Sequence, residues 1–141
     1  MLAHPFFLCE PEVDENSPPV RVLVIEDDAL IAMLLSEILA GMGHVVCATA
    51  ATESEAVAAA AHCGPDLMIV DAGLGQGSGV SAVEEICRAK PLAHVFISGD
   101  AERVRLRHPD AVVVRKPFRQ SELARAIEIA LARVIDRKSV V

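Results

Sequence analysis

Four short apolar runs in the 141-residue chain each end in a residue able to do chemistry. Val22-Leu23-Val24-Ile25 is followed by Glu26-Asp27-Asp28, Leu67-Met68-Ile69-Val70 by Asp71, Val95-Phe96-Ile97 by Ser98, and the run 111–114 by Lys116-Pro117. Clustered carboxylates repel one another, and the ordinary remedies are a cation or a raised pKa. Mg²⁺ takes one or two carboxylates, keeps several waters and usually sits beside phosphate oxygens. Carboxylates, one hydroxyl and one lysine in one pocket are therefore equipped to hold a phosphoryl group and its metal. Each residue alone has a plainer reading, since an acidic residue after a strand, such as Asp28, is often only a helix N-cap. The combination at four strand ends is harder to reach by chance.

The elements that must bring these residues together alternate along the chain. Strands are expected at 22–25, 45–48, 67–70, 95–97 and 111–114, with apolar residues throughout rather than at every second position. Helices are expected at 29–40, stopped by Gly41 and Gly43, at 53–62, at about 80–89, and from Ser121 to about Ile135 with Leu123, Ile127, Ala130 and Val134 on one stripe. Thr52 and Glu55 have capping-box spacing before the second helix, and Gly64-Pro65 ends it. Strands apolar on both faces, each followed by a helix, imply a parallel sheet covered on both sides. Right-handed crossovers then favour a doubly wound, flavodoxin-like (βα)5 sheet of order 2-1-3-4-5, whose working site lies beyond the carboxyl ends of the strands.

The motifs from Val22 to Asp28, from Pro65 to Asp71 and at Lys116-Pro117-Phe118 resemble those of response-regulator receiver domains, over about residues 20–136. The resemblance implies that Asp71 is the phosphoacceptor. It implies that Asp27, Asp71 and the Gly73 carbonyl ligate Mg²⁺, and that Glu26 holds a coordinated water. Lys116 is implied to pair with Asp71 or the phosphoryl oxygens, and Ser98 to bond the phosphoryl group in the active state. Gly79 matches the glycine that turns the loop into the third helix. The donor implied is a phosphohistidine on a sensor histidine kinase or a histidine phosphotransfer protein. The chain is then expected to signal by binding an unknown downstream protein, or to act as a phosphate shuttle or sink.

Departures from the family pattern bear on the output. The aromatic that many receivers rotate on activation falls at Val113, and Gly75 replaces the usual proline of the loop after the phosphoacceptor. Only 17 residues separate Ser98 from Lys116, and 103–110 lacks a clean apolar stripe, so the fourth helix is expected to be short or irregular. That feature, with Phe96, Ser98 and Gly99, resembles a subgroup of stand-alone receivers of alphaproteobacterial stress signalling, although Asp100 stands where the subgroup prefers an aromatic. The first helix carries Leu30, Ile31, Met33, Leu34, Leu35 and Ile38, more apolar positions than one buried stripe needs. Either it is buried between neighbours, or Leu30 or Met33 is exposed beside the site to dock a partner helix.

The remaining signals bound the alternatives. A formal net charge of −7 argues against a nucleic-acid partner. No stretch approaches a membrane span, and Pro5-Phe6-Phe7-Leu8 is too short for a signal sequence, so a cytoplasmic protein is expected. The four cysteines, Cys9, Cys47, Cys63 and Cys87, form no C-x-x-C pair and are read as reduced, buried thiols. Residues 1–19, with four prolines among acidic residues, are expected to be a flexible tail and 137–141 a short C-terminal one, leaving no room for a separate catalytic domain. A dinucleotide-binding module is disfavoured because Gly73, Gly75 and Ser78 miss the third glycine of G-x-G-x-x-G, and a D-x-D phosphatase because Gly73 occupies the second position. A receiver-like binding module that signals without phosphorylation remains open.

Overall fold

The computed structural model describes residues 19–74 and 77–139. The tail expected at 1–19, apart from Pro19, lies outside the described residues, as do Gly75, Gln76 and residues 140 and 141. Five strands, β1 (Arg21–Ile25), β2 (Val45–Ala50), β3 (Leu67–Asp71), β4 (Ala93–Ser98) and β5 (Val113–Arg115), form one sheet. They alternate with helices α1 (Ala29–Gly41), α2 (Glu53–Cys63), α3 (Gly79–Ala89), α4 (Ala101–Arg107) and α5 (Gln120–Ser139). All strand pairs are parallel, in the order β2-β1-β3-β4-β5. The doubly wound, flavodoxin-like architecture expected from the pattern is the one present.

The all-apolar strands are explained by two cores, one on each face. Val22, Val24, Leu67, Ile69, Val95 and Ile97 face Leu35 and Leu39 of α1 and Leu123 and Ile127 of α5. The alternate residues Leu23, Ile25, Met68, Val70 and Phe96 face Ala56 of α2, Val83 and Ile86 of α3 and Val104 of α4. Alternation within the central strands β1, β3 and β4 lets their apolar side chains enter one core or the other, while β2 at the edge stays partly exposed. Truncating Phe96, the largest fully buried side chain, costs about 3–5 kcal/mol in such an environment.

Local signals set most helix ends. Asp28 accepts from the amides of Leu30 and Ile31 and so caps α1. Thr52 accepts from the Glu55 amide at 3.1 Å, Glu55 reaches back to the Ala51 amide at 2.9 Å, and Gly64 closes α2 in the left-handed region at φ 59°. Two expectations shift. β5 begins at Val113 rather than at residue 111, because the Ala111 amide is spent on a turn to the His108 carbonyl. α5 continues to Ser139, past the end expected near 135 and into the tail expected at 137–141, since residues 136–139 contain no glycine or proline to stop it. α4 is short, at 7 residues, as the missing apolar stripe implied. Among the described residues no helix is long and apolar enough to cross a membrane.

Candidate functional site

The parallel topology sets the ends of β1, β3, β4 and β5 along one edge, and the sequence-predicted residues meet there. Glu26, Asp27 and Asp71 each offer a carboxylate oxygen, and these atoms lie within 4.8 Å of one another. Lys116 approaches Asp71 Oδ1 with its Nζ at 3.6 Å, an ion pair rather than a hydrogen bond. The Lys116 amide donates to the Ser98 carbonyl at 2.9 Å, which ties the end of β5 to that of β4 and sets Ser98 beside the pair. The Lys116–Pro117 peptide bond is cis.

Burial and charge give the acidic residues different states. Glu26 is only 5% exposed. Burial first, and then the neighbouring Asp71 and Asp27, push its carboxyl up to about 7 against the Asp28 amide that bonds its Oε2. A carboxyl held partly protonated by burial and by two like neighbours is what a cation would relieve, and an all-oxygen donor set fits a hard divalent ion. Asp71 is steadied by its own loop, its Oδ1 accepting from the Gly73 amide at 3.1 Å. Gly73 thus bonds Asp71 through its amide, while Asp28 serves as the helix cap.

The loop after β3 is held by residues the sequence reading did not single out. Glu53, at the start of α2, accepts from the Ser78 amide at 3.2 Å, and Ser78 in turn caps α3 through the amides of Val80 and Ser81. Gly79 sits against Asp71 so closely that a methyl group there would collide with the Asp71 carbonyl oxygen. Asp100, a departure from the subgroup pattern, caps α4 through the Arg103 amide, and its own amide donates to Ser98 Oγ at 2.9 Å. An open groove of about 990 Å³ runs from Asp71, Ser98 and Lys116 between the loop and α4 to Arg103 and Arg107. Neither arginine carries a local sequence signal, because only the packing of α4 brings them to the groove. On α1, which begins two residues after Asp27, Leu30 is 60% and Met33 55% exposed, so the helix is not simply buried between its neighbours.

The family model of the response regulator receiver domain matches residues 22–128, which contain every one of these site residues. The chain belongs to the response regulator receiver domain family. This receiver domain is 36% identical over 128 residues to the transcriptional regulatory protein PdtaR of Mycobacterium tuberculosis, covering 87% of this chain and 62% of that protein. It is 35% identical over 115 residues to the phyllosphere-induced regulator PhyR of Methylorubrum extorquens, covering 79% of this chain and 43% of that one. It thus spans less than two thirds of either relative. Among solved structures, the receiver domain of the Erythrobacter litoralis PhyR response regulator superposes with a TM-score of 0.73 at 35% identity, over 80% of this chain and 90% of that one.

Proposed function

We propose that this receiver domain takes a phosphoryl group onto Asp71 from a phosphohistidine on a sensor histidine kinase or a histidine phosphotransfer protein. The observation that carries the reading is the set of three carboxylates within 4.8 Å, met from another strand end by the Lys116 ammonium. An Asp71 oxygen attacks phosphorus, the P–N bond to the donor imidazole breaks, and an acyl phosphate forms. In such a transfer the protein mainly positions groups and neutralises charge. Asp27, Asp71 and the Gly73 carbonyl are the proposed Mg²⁺ ligands, with Glu26 holding a coordinated water. When bound, Mg²⁺ supplies the positive charge that lets phosphoryl oxygens approach an acidic pocket. Lys116 supplies the second positive charge, and Ser98 is the hydroxyl proposed to bond the phosphoryl group afterwards.

The compartment proposed is the cytoplasm, and the output is proposed to pass to a downstream protein or to another member of a phosphorelay. Similarity to PdtaR and PhyR supports a protein partner in stress or transcriptional control. The exposed Leu30 and Met33 beside the site support docking of a partner helix there.

Labelling by acetyl phosphate in Mg²⁺, on the wild type and on Asp71→Ala, tests the reading. Acid-labile phosphate on the wild type alone is expected. No labelling of the wild type, or equal labelling of both, overturns it and leaves a binding module that works without phosphorylation.

A further inference from the structure

Two cysteines that are distant in the sequence meet at a place the phosphoryl chemistry does not use. β2 carries a bulge: Val22 pairs with Val46 but Leu23 pairs with Ala48, so Cys47 is the extra residue. Bulges re-aim the residue they insert. Cys47 meets the last residue of α2, where the Cys63 thiol donates to the Cys47 carbonyl with sulfur and oxygen 3.7 Å apart. The Cys63 sulfur is thereby held against the backbone of Cys47. Arg21 of the adjacent β1 closes the group, its guanidinium donating to the Cys63 carbonyl at 3.1 Å. Both cysteines are half-buried rather than sealed in the core, which corrects the expectation of buried thiols and leaves them open to a small reagent.

We propose that Cys47 and Cys63 form a redox-active dithiol that closes to a reversible disulfide when the protein meets a hydroperoxide. The Cys63 sulfur attacks the peroxide: an S–O bond forms, the O–O bond breaks, and the departing oxygen takes the thiol proton and leaves as an alcohol, or as water from hydrogen peroxide. The Cys47 sulfur then displaces that hydroxyl, so the S–S bond forms, the S–O bond breaks, and the Cys47 proton leaves with the hydroxyl as water. Both thiols are oxidised and the hydroperoxide is reduced. Burial first, and the neighbouring Cys63 second, hold the Cys47 thiol above its ordinary range, with Arg21 opposing them. Such a thiol suits the second, resolving step, in which it meets a sulfur that is already oxidised.

The bond ties the last turn of α2 to the edge strand β2, at the end of the sheet away from Asp71. In a reducing compartment it is transient, as redox-sensing disulfides are. Phosphoryl acceptance at Asp71 should therefore survive oxidation.

The test treats the full chain with hydrogen peroxide, blocks remaining thiols by alkylation and maps the peptides by mass. The expected result is a monomer that has lost two thiols, with Cys47 and Cys63 in one cross-linked peptide pair lighter by two hydrogens, restored by dithiothreitol. Cys87→Ser should give the same cross-link, and Cys47→Ser should leave a sulfenic acid on Cys63 that dimedone traps. A wild-type map with Cys47 and Cys63 still reduced, separately over-oxidised, or bridged instead to Cys9, Cys87 or another molecule overturns the proposal. That map needs no variant, so it stands even if a substitution disturbs folding.

Discussion

Glu84 of α3 grips Arg107 at the end of α4 with both carboxylate oxygens, Oε1 accepting from Nη2 at 2.7 Å and Oε2 from Nε at 3.2 Å. His108 joins the same carboxylate with its Nε2 at 2.7 Å from Oε2, and its ring stacks on Phe96 of β4. Partial burial alone would raise the Glu84 carboxyl, but the hydrogen bonds from His108 and Arg107 outweigh it and hold the group below its ordinary range. α4 buries only Ala101 and Val104, so this polar clamp supplies anchoring that apolar contacts do not.

The segment 99–110 should therefore exchange its amides faster than β4 at rest, and slow down when beryllofluoride and Mg²⁺ mimic the phosphoryl group. Because the clamp is partly exposed, Glu84→Ala should weaken resting protection by at most about 1 kcal/mol, roughly fivefold in exchange rate. Hydrogen exchange read by mass spectrometry checks both. Equal protection with and without the mimic means that the output leaves by another face.

Glu26 makes the metal-free protein sensitive to pH. Its carboxyl holds a proton up to about 7 in the folded state, against 4.5 for an unperturbed glutamate. The native state thus binds the extra proton between these values, and the free energy of unfolding should fall as pH rises through that window, by at most about 3 kcal/mol. Below 4.5 and above 7 this contribution is flat. Urea titrations from pH 4.5 to 7.5 should show the fall in Glu26-containing protein, a smaller fall with Mg²⁺ present, and none from this source in Glu26→Gln.

Asp27→Ala should weaken Mg²⁺ binding by at least about tenfold, because a site with few protein ligands loses a carboxylate. Lys116→Ala should keep its metal yet fail to convert phosphorylation into a conformational change. Calorimetry reads the first effect and amide exchange the second. Unchanged Mg²⁺ affinity in Asp27→Ala would refute the ligand assignment.

On α1, Leu30→Glu and Met33→Glu place charge on an exposed apolar patch, so stability should change by less than about 0.5 kcal/mol. Transfer from a phosphohistidine donor should slow while labelling by acetyl phosphate continues. Loss with both donors alike would indicate that α1 supports the site itself instead of the partner.

Gly79→Ala introduces a methyl group against the Asp71 carbonyl and the Val70 side chain. The backbone of Asp71 must shift to admit it, at a cost of about 1–3 kcal/mol. Acetyl phosphate labelling should drop with stability, whereas Gly73→Ala, with nothing within 4 Å of the added carbon, should affect labelling more than the thermal midpoint.

The sheet order, the two-sided burial of the strands and the convergence of Glu26, Asp27, Asp71, Ser98 and Lys116 were legible in the sequence. Each depends on local patterns, strand hydrophobicity and the residue at a strand end, and parallel topology leaves few ways to assemble them. The caps at Asp28, Thr52 and Gly64 were local in the same sense. Tertiary structure alone decided that Glu84 meets Arg107, that Glu53 holds Ser78, and that the Cys63 thiol meets the Cys47 carbonyl at the bulge in β2. These pairs lie 16 to 25 residues apart, and their partners are chosen by the angle at which one helix settles on the sheet or another helix. The close approach of Gly79 to Asp71 is of the same kind: the sequence marks a glycine at a loop end, but only the packed backbone shows which atom would be struck.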